Sequence, residues 1–126
     1  MIELKKVLYV EDEADIREVG KIALEAVGGF EVHLCAGGPE ALEAAPCFAP
    51  QLILLDVMMP GMDGPTTLME LRKIPGLAQT PVVFITAKVL QTEVRYYQEL
   101  GALGTVSKPF DPMTLADQLK DLWSNR

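Results

Sequence analysis

Three acidic side chains stand where apolar runs end. Asp56 closes the run Leu52-Ile53-Leu54-Leu55, and Glu11 and Asp12 follow Val7-Leu8-Tyr9-Val10. A short, wholly apolar run reads as a strand buried on both faces of a parallel sheet, and open α/β sheets bind ligands at the carboxyl ends of such strands. If the two strands are neighbours, Glu11, Asp12 and Asp56 converge on one small volume. Carboxylates that close cannot all ionise without a cation, so the pattern points to a metal. An all-oxygen set suits magnesium, manganese or calcium better than zinc. Further along, Thr86 ends Val82-Val83-Phe84-Ile85, and Lys108 follows Thr105-Val106-Ser107. Asp56 could then attack phosphorus in line and form an acyl phosphate. Lys108 offers a point positive charge to the phosphoryl group, Thr86 a hydroxyl donor, and small Ala87 leaves room for access. Such chemistry needs positioning and charge neutralisation more than proton transfer.

The elements that must position these residues alternate five times between strand and helix. Strands are predicted at Lys5–Val10, Phe30–Cys35, Leu52–Asp56, Val82–Thr86 and Thr105–Ser107. Helices are predicted at Ala14–Val27, Pro39–Ala45, Pro65–Ile74, Gln91–Leu100 and Pro112–Trp123. In the first helix, Ile16, Val19, Ala23 and Val27 form one core-facing stripe at spacings of three and four, and Gly28-Gly29 stops it. The last helix repeats the stripe with Leu115, Leu119 and Leu122. Pro39, Pro65 and Pro112 each suit the first turn of a helix, where the missing N–H costs nothing. Short loops between alternating elements give an α/β fold with helices on both faces of a parallel sheet. Five strands fit the flavodoxin-like doubly wound (βα)5 order 2-1-3-4-5, which sets strands one and three side by side.

Composition narrows the classes of function. The chain has 126 residues, 49% of them hydrophobic and 23% charged, enough for a single domain (1–126) with its own core. A net charge of −7, with no basic run, argues against nonspecific binding to nucleic acid or an anionic membrane. No apolar stretch approaches the roughly 20 residues that span a bilayer, and no signal peptide is visible. Cys35 and Cys47 have no metal-ligand spacing and read as small buried thiols. The expected location is the cytoplasm.

The site residues and their neighbours carry a family resemblance. Val10-Glu11-Asp12-Glu13, Leu54-Leu55-Asp56-Val57-Met58-Met59-Pro60-Gly61-Met62-Asp63-Gly64, Ile85-Thr86-Ala87 and Ser107-Lys108-Pro109-Phe110 follow in order. The chain resembles a two-component response-regulator receiver domain, and in particular a stand-alone one with no output domain. The resemblance implies a signalling switch rather than an enzyme, one that catalyses its own phosphorylation and dephosphorylation. It implies that Asp56 accepts a phosphoryl group from a phosphohistidine on a sensor kinase or phosphotransfer protein. It implies magnesium, or manganese in its place, on Glu11, Asp12, Asp56 and the Met58 carbonyl, and a cis Lys108–Pro109 peptide. Thr86 and Lys108 would report phosphorylation to a partner face around Tyr96, Leu103 and Thr105, in a monomer or a phosphorylation-dependent dimer. Thr105 departs from the pattern, because the family usually carries Tyr or Phe there and that ring normally swings inward as the threonine moves. Met58 and Lys88 occupy positions that tune dephosphorylation in the family. An apolar Met58 cannot orient an attacking water, so a long-lived phosphoryl group is expected.

Plainer readings apply elsewhere. His33 reads as an exposed edge-strand residue and Glu13 as a charge favourable at a helix N-terminus. Asp63-Gly64 reads as turn chemistry, with Gly64 permitting an unusual backbone angle. One or two of Tyr96, Tyr97 and Trp123 read as core and the rest as a partner face. Among alternative functions, a magnesium-dependent phosphohydrolase of the haloacid dehalogenase type needs a second acid two residues after the nucleophile, where Met58 stands. An FMN carrier needs a hydroxyl- and glycine-rich loop where Glu11-Asp12-Glu13 stands. A degenerate receiver used only for interaction is disfavoured by the intact acceptor set.

Overall fold

The computed structural model describes residues 2–87 and 90–126. Its sheet contains β1 (Lys6–Val10), β2 (Glu31–Cys35), β3 (Leu52–Asp56), β4 (Val82–Thr86) and β5 (Gly104–Ser107). All pairings are parallel and the order is β2-β1-β3-β4-β5, the flavodoxin-like arrangement predicted from the alternation. The helices are α1 (Ala14–Ile22), α2 (Gly38–Phe48), α3 (Gly64–Arg72), α4 (Gln91–Glu99) and α5 (Leu115–Ser124). Every residue of β3 and β4 is buried, as their unbroken apolar runs require. Each fully buried Leu or Ile there contributes about 1.5–3 kcal/mol. The strands that carry Asp56 and Thr86 are therefore the rigid centre of the molecule.

Side chains alternate between two cores. Val7 and Tyr9 join Ala23, Leu24, Leu115 and Leu119 on one face. Leu8 and Val10 join Ala41, Leu68, Leu71 and Tyr97 on the other. β2 forms an edge, where His33 is exposed as predicted, its ring 5.5 Å from that of Phe48.

Several local predictions need correction. α1 passes directly into a π-helical turn, Ala23–Val27, and its buried face is Gly20, Ala23 and Leu24. Val19 and Val27 of the predicted stripe are 44% and 42% exposed. The reason is close packing at Gly20, where a Cβ would lie 2.3 Å from Tyr9 Cε2. The bulky Tyr9 pulls the glycine against the sheet, and the wider π turn rotates Val27 outward. α2 does not stop at Ala45 but carries Pro46 in its last turn and ends with Ala49 at φ 53. That extension leaves Cys47 exposed, so only Cys35 is the buried thiol, and burial pushes Cys35 up to about 12. Pro112 lies in the turn before α5, which begins at Leu115.

Candidate functional site

β1 and β3 are neighbours, with Val10 opposite Leu55. Glu11 and Asp56 thus emerge side by side. The Glu11 amide still bonds the Cys35 carbonyl at 3.0 Å, so the ladder to β2 holds this position beyond the strand's end. Glu11 is fully buried and Asp56 is 2% exposed. One oxygen from each of Glu11, Asp12 and Asp56 lies within 4.8 Å of the others.

Lys108 reaches the cluster from beyond β5, its amide anchored to the Thr86 carbonyl at 2.9 Å. The ammonium lies 2.8 Å from Glu11 Oε1 and 3.3 Å from Asp56 Oδ2. The first contact compensates Glu11 by charge rather than by an aligned hydrogen bond. Asp12 Oδ1 is also buried and finds no hydrogen-bond donor among the described residues. One ammonium for three carboxylates leaves the cluster short of positive charge. Burial, reinforced by hydrogen bonding and repulsion from Glu11, pushes Asp56 up to about 7 against the pull of Lys108. Burial would lower Lys108, but its attraction to Glu11 and Asp56 outweighs it and the net shift is upward. A buried, donorless oxygen within an all-oxygen acidic set fits a hard divalent cation.

The loop behind Asp56 is held tightly. The Val57 amide bonds the Ile85 carbonyl at 3.1 Å, and the Gly64 amide bonds the Val57 carbonyl at 2.9 Å. Gly61 takes the positive φ of this loop, +79°. Gly64 does not, contrary to the sequence reading. It is glycine because a Cβ would stand 2.5 Å from the Asp56 carbonyl oxygen and 2.9 Å from Val57 Cα. Asp63 caps α3 by accepting from the Thr66 amide at 2.8 Å. Gly64→Ala is expected to cost about 1–3 kcal/mol in urea unfolding, because both clashing atoms belong to backbone and neither can swing aside. A stability equal to wild type would contradict that account.

The remaining predicted residues fall around this centre. Thr86 is 2% exposed at the end of β4, and Ala87 is exposed beside it. Met58 opens to solvent at 69% exposure. The Lys108–Pro109 peptide is cis. Lys88 lies outside the described residues. Tyr96 is 50% exposed, whereas Leu103 packs against the core and Thr105 is half-buried. Of the other aromatics, Tyr97 and Trp123 are core. The sequence reading missed two contacts. Arg17 donates to the Glu11 carbonyl at 2.7 Å, and the Tyr97 ring lies on Phe84 of β4 with centroids 5.0 Å apart. Neither contact has a signature in linear spacing. An apolar groove of about 450 Å³, lined by Ile16, Val19, Pro109 and Phe110, opens beside Lys108.

Residues 7–120 match the family described as the response regulator receiver domain. The chain belongs to that family. Two curated relatives are the response regulator Rre1 of Synechocystis and a probable transcriptional regulator, ycf29, of Porphyra purpurea. Rre1 is 35% identical over 97% of this chain and 53% of its own length. The ycf29 protein is 40% identical over 75% of this chain and 45% of its own length. The receiver therefore spans about half the length of the curated relatives it matches. Among solved structures, the chemotaxis protein CheY4 of Vibrio cholerae superposes with a TM-score of 0.87. It is 32% identical over 94% of this chain and 98% of its own. Receiver domains are signalling switches rather than classical enzymes, and this one carries the acidic cluster that could hold a metal. Among the described residues, no helix is long and apolar enough to cross a membrane.

Proposed function

We propose that Asp56 is the phosphoacceptor, taking its phosphoryl group from a phosphohistidine on a sensor kinase or phosphotransfer protein. The observation that carries this reading is the position of Asp56, with Lys108 Nζ at 3.3 Å and two further carboxylates within 4.8 Å. Glu11, Asp12 and Asp56 would hold magnesium, or manganese in its place, together with the Met58 carbonyl. When bound, the ion supplies neutralising charge to the carboxylates and to the phosphoryl oxygens.

The chain's own residues do the rest. An Asp56 carboxylate oxygen attacks phosphorus in line, a P–O bond forms and the P–N bond to the donor imidazole breaks. The imidazole leaves with the electron pair and takes up a proton. Lys108 balances charge on the phosphoryl oxygens and Thr86 donates its hydroxyl to one of them. The buried floor beneath Asp56 excludes water from the far side of the carboxylate. The apolar groove beside Lys108 offers a surface on which a protein donor can dock. Exposed, apolar Met58 supports slow hydrolysis of the product, since it cannot position a water. The same absence of a second acid disfavours a phosphohydrolase. Output then passes through the α4–β5–α5 face to a protein partner in the cytoplasm, in a monomer or a phosphorylation-dependent dimer.

Intact-protein mass spectrometry after incubation with acetyl phosphate tests the reading. One phosphoryl group is expected, only with magnesium present and only with Asp56 intact. Equal labelling of Asp56→Asn, or no labelling of the wild type, would overturn it. Continuous turnover of small phosphate esters would reassign the site to hydrolysis.

A further inference from the structure

Three consecutive peptide units cross the acidic end of β1, and each is tied to a different group. The N–H of the first, between Val10 and Glu11, donates to the Cys35 carbonyl at the end of β2 at 3.0 Å. The carbonyl of the second, between Glu11 and Asp12, accepts from Arg17 Nη1 of α1 at 2.7 Å. The N–H of the third, between Asp12 and Glu13, donates to Glu11 Oε2 at 3.1 Å. A peptide unit is planar, so a bond at its N–H or its carbonyl constrains the whole unit. Asp12 stands between the second and third units, and the direction in which its side chain leaves follows from both. Glu11 stands between the first and second. With its Oε2 taken by the Glu13 amide, its Oε1 is left facing Lys108 Nζ at 2.8 Å.

Arg17 is an unexpected donor for this task. Side chains of a helix lean toward its N-terminus, which brings the guanidinium back over the first turn of α1, where the helix dipole opposes a cation. No carboxylate compensates it there: among the described residues Arg17 forms no ion pair, although Glu13, Asp15 and Glu18 are close to it in sequence. α1 also begins without a side-chain cap at Glu13. What the guanidinium finds is the Glu11 carbonyl, and a charged donor makes the stronger kind of hydrogen bond. We propose that Arg17 is a positioning residue of the cation site, orienting the peptide unit that joins Glu11 to Asp12 and, with it, both carboxylates. The inference rests on the reading of Glu11, Asp12 and Asp56 as the ligands of the cation. Groups that fix the orientation of metal ligands contribute to affinity almost as the ligands do. Arg17 could act on magnesium in two ways, and they differ in sign. Through its charge alone it repels a cation, so its removal would tighten binding. Through its hydrogen bond it presents the carboxylates, so its removal loosens binding.

Arg17→Met keeps the apolar stem and removes every donor. Magnesium titrated calorimetrically into the full chain is the measurement. Arg17→Met is expected to bind magnesium about 5- to 20-fold more weakly than wild type. That is the lower part of the range for partners that orient metal ligands, because the lost repulsion, screened at a half-buried group, offsets some of the effect. Arg17→Lys keeps the charge and a donor, and is expected to regain most of the affinity. At saturating magnesium, labelling of Arg17→Met by acetyl phosphate is expected to approach the wild-type rate, since the loss lies in holding the ion and not in the transfer. Urea unfolding in chelator, run on the same variants, separates this role from a merely structural one. Lower stability with wild-type magnesium affinity would overturn the inference while the site reading stood. So would tighter binding by Arg17→Met, which would mean that Arg17 acts by its charge. An Arg17→Met chain that fails to fold even with magnesium would make Arg17 a structural residue and overturn it too. A wild type that binds no magnesium would bring down the cation-site reading, and the inference with it.

Discussion

With magnesium chelated at pH 8, Asp56→Asn is expected to be more stable than the wild type by roughly 1–3 kcal/mol, though it lacks the proposed phosphoacceptor. The folded chain pushes Asp56 up to about 7 from 3.8, chiefly by burial and then by Glu11. A carboxyl group with a raised folded pKa holds its proton more tightly when folded than when unfolded. Stability therefore falls as pH rises from about 4 to about 7, and the whole deficit persists above that range. Three units would be about 4 kcal/mol at 1.36 kcal/mol each, an upper figure because the cluster relaxes around the charge. Asparagine removes the charge and keeps the shape. Urea unfolding in chelator at pH 5.5 and pH 8 is the measurement. Wild type is expected to be the more stable at pH 5.5, Asp56→Asn to vary less, and the gap between them to narrow in acid. A variant less stable than wild type at pH 8 would mean that the ionised Asp56 is a net stabilising partner of Lys108. The proton on Asp56 must also leave before a cation is held there, so magnesium affinity is expected to climb with pH through about 7.

The sheet and its acidic edge were legible because the signals that encode them are local. β3 and β4 are continuous apolar runs, and only burial on both faces permits such runs. Once the strand order follows from the alternation, Glu11 and Asp56 have nowhere else to emerge. What escaped the sequence depends on size and contact in three dimensions. Gly20 carries no apolar signal, yet its missing Cβ decides which face of α1 meets Tyr9, and a periodicity count chose Val19 instead. Gly64 looked like a flexible turn residue, whereas its role is to let the backbone of α3 graze that of Asp56. Thr105 was visible as a departure from the family pattern. The ring that packs on its register partner Phe84 was not visible, since it lies on another element, at Tyr97 of α4. The second helix runs past its predicted end at Ala45 for a simpler reason: the last turn of a helix can lose one N–H bond, here that of Pro46, and continue, as α2 does to Phe48.

Lys108→Ala and Asp12→Ala are expected to separate metal binding from phosphoryl chemistry. The Lys108 ammonium sits 2.8 Å and 3.3 Å from two of the three carboxylates that would hold the cation. It is their counter-ion and therefore a competitor for the site. Removing it leaves three carboxylates with no neutralising charge, so Lys108→Ala is expected to bind magnesium several-fold more tightly than wild type. Phosphoryl uptake from acetyl phosphate is nevertheless expected to slow by about 10²–10³-fold, because a preorganised positive charge beside the transferring group is gone. Asp12→Ala acts in the opposite way. It deletes the buried oxygen that finds no donor among the described residues, so magnesium affinity and uptake are both expected to fall. Fully buried Glu11 also loses its cation in Lys108→Ala, so its deficit in unfolding stability is expected to be large in chelator and mostly recovered with magnesium. Magnesium titration and a labelling time course on the same samples decide the matter. If Lys108→Ala binds magnesium no better than wild type, Lys108 does not compete with the cation. If it labels at the wild-type rate, neutralisation by the ion and the Thr86 hydroxyl suffice, and Lys108 serves the fold rather than the transfer.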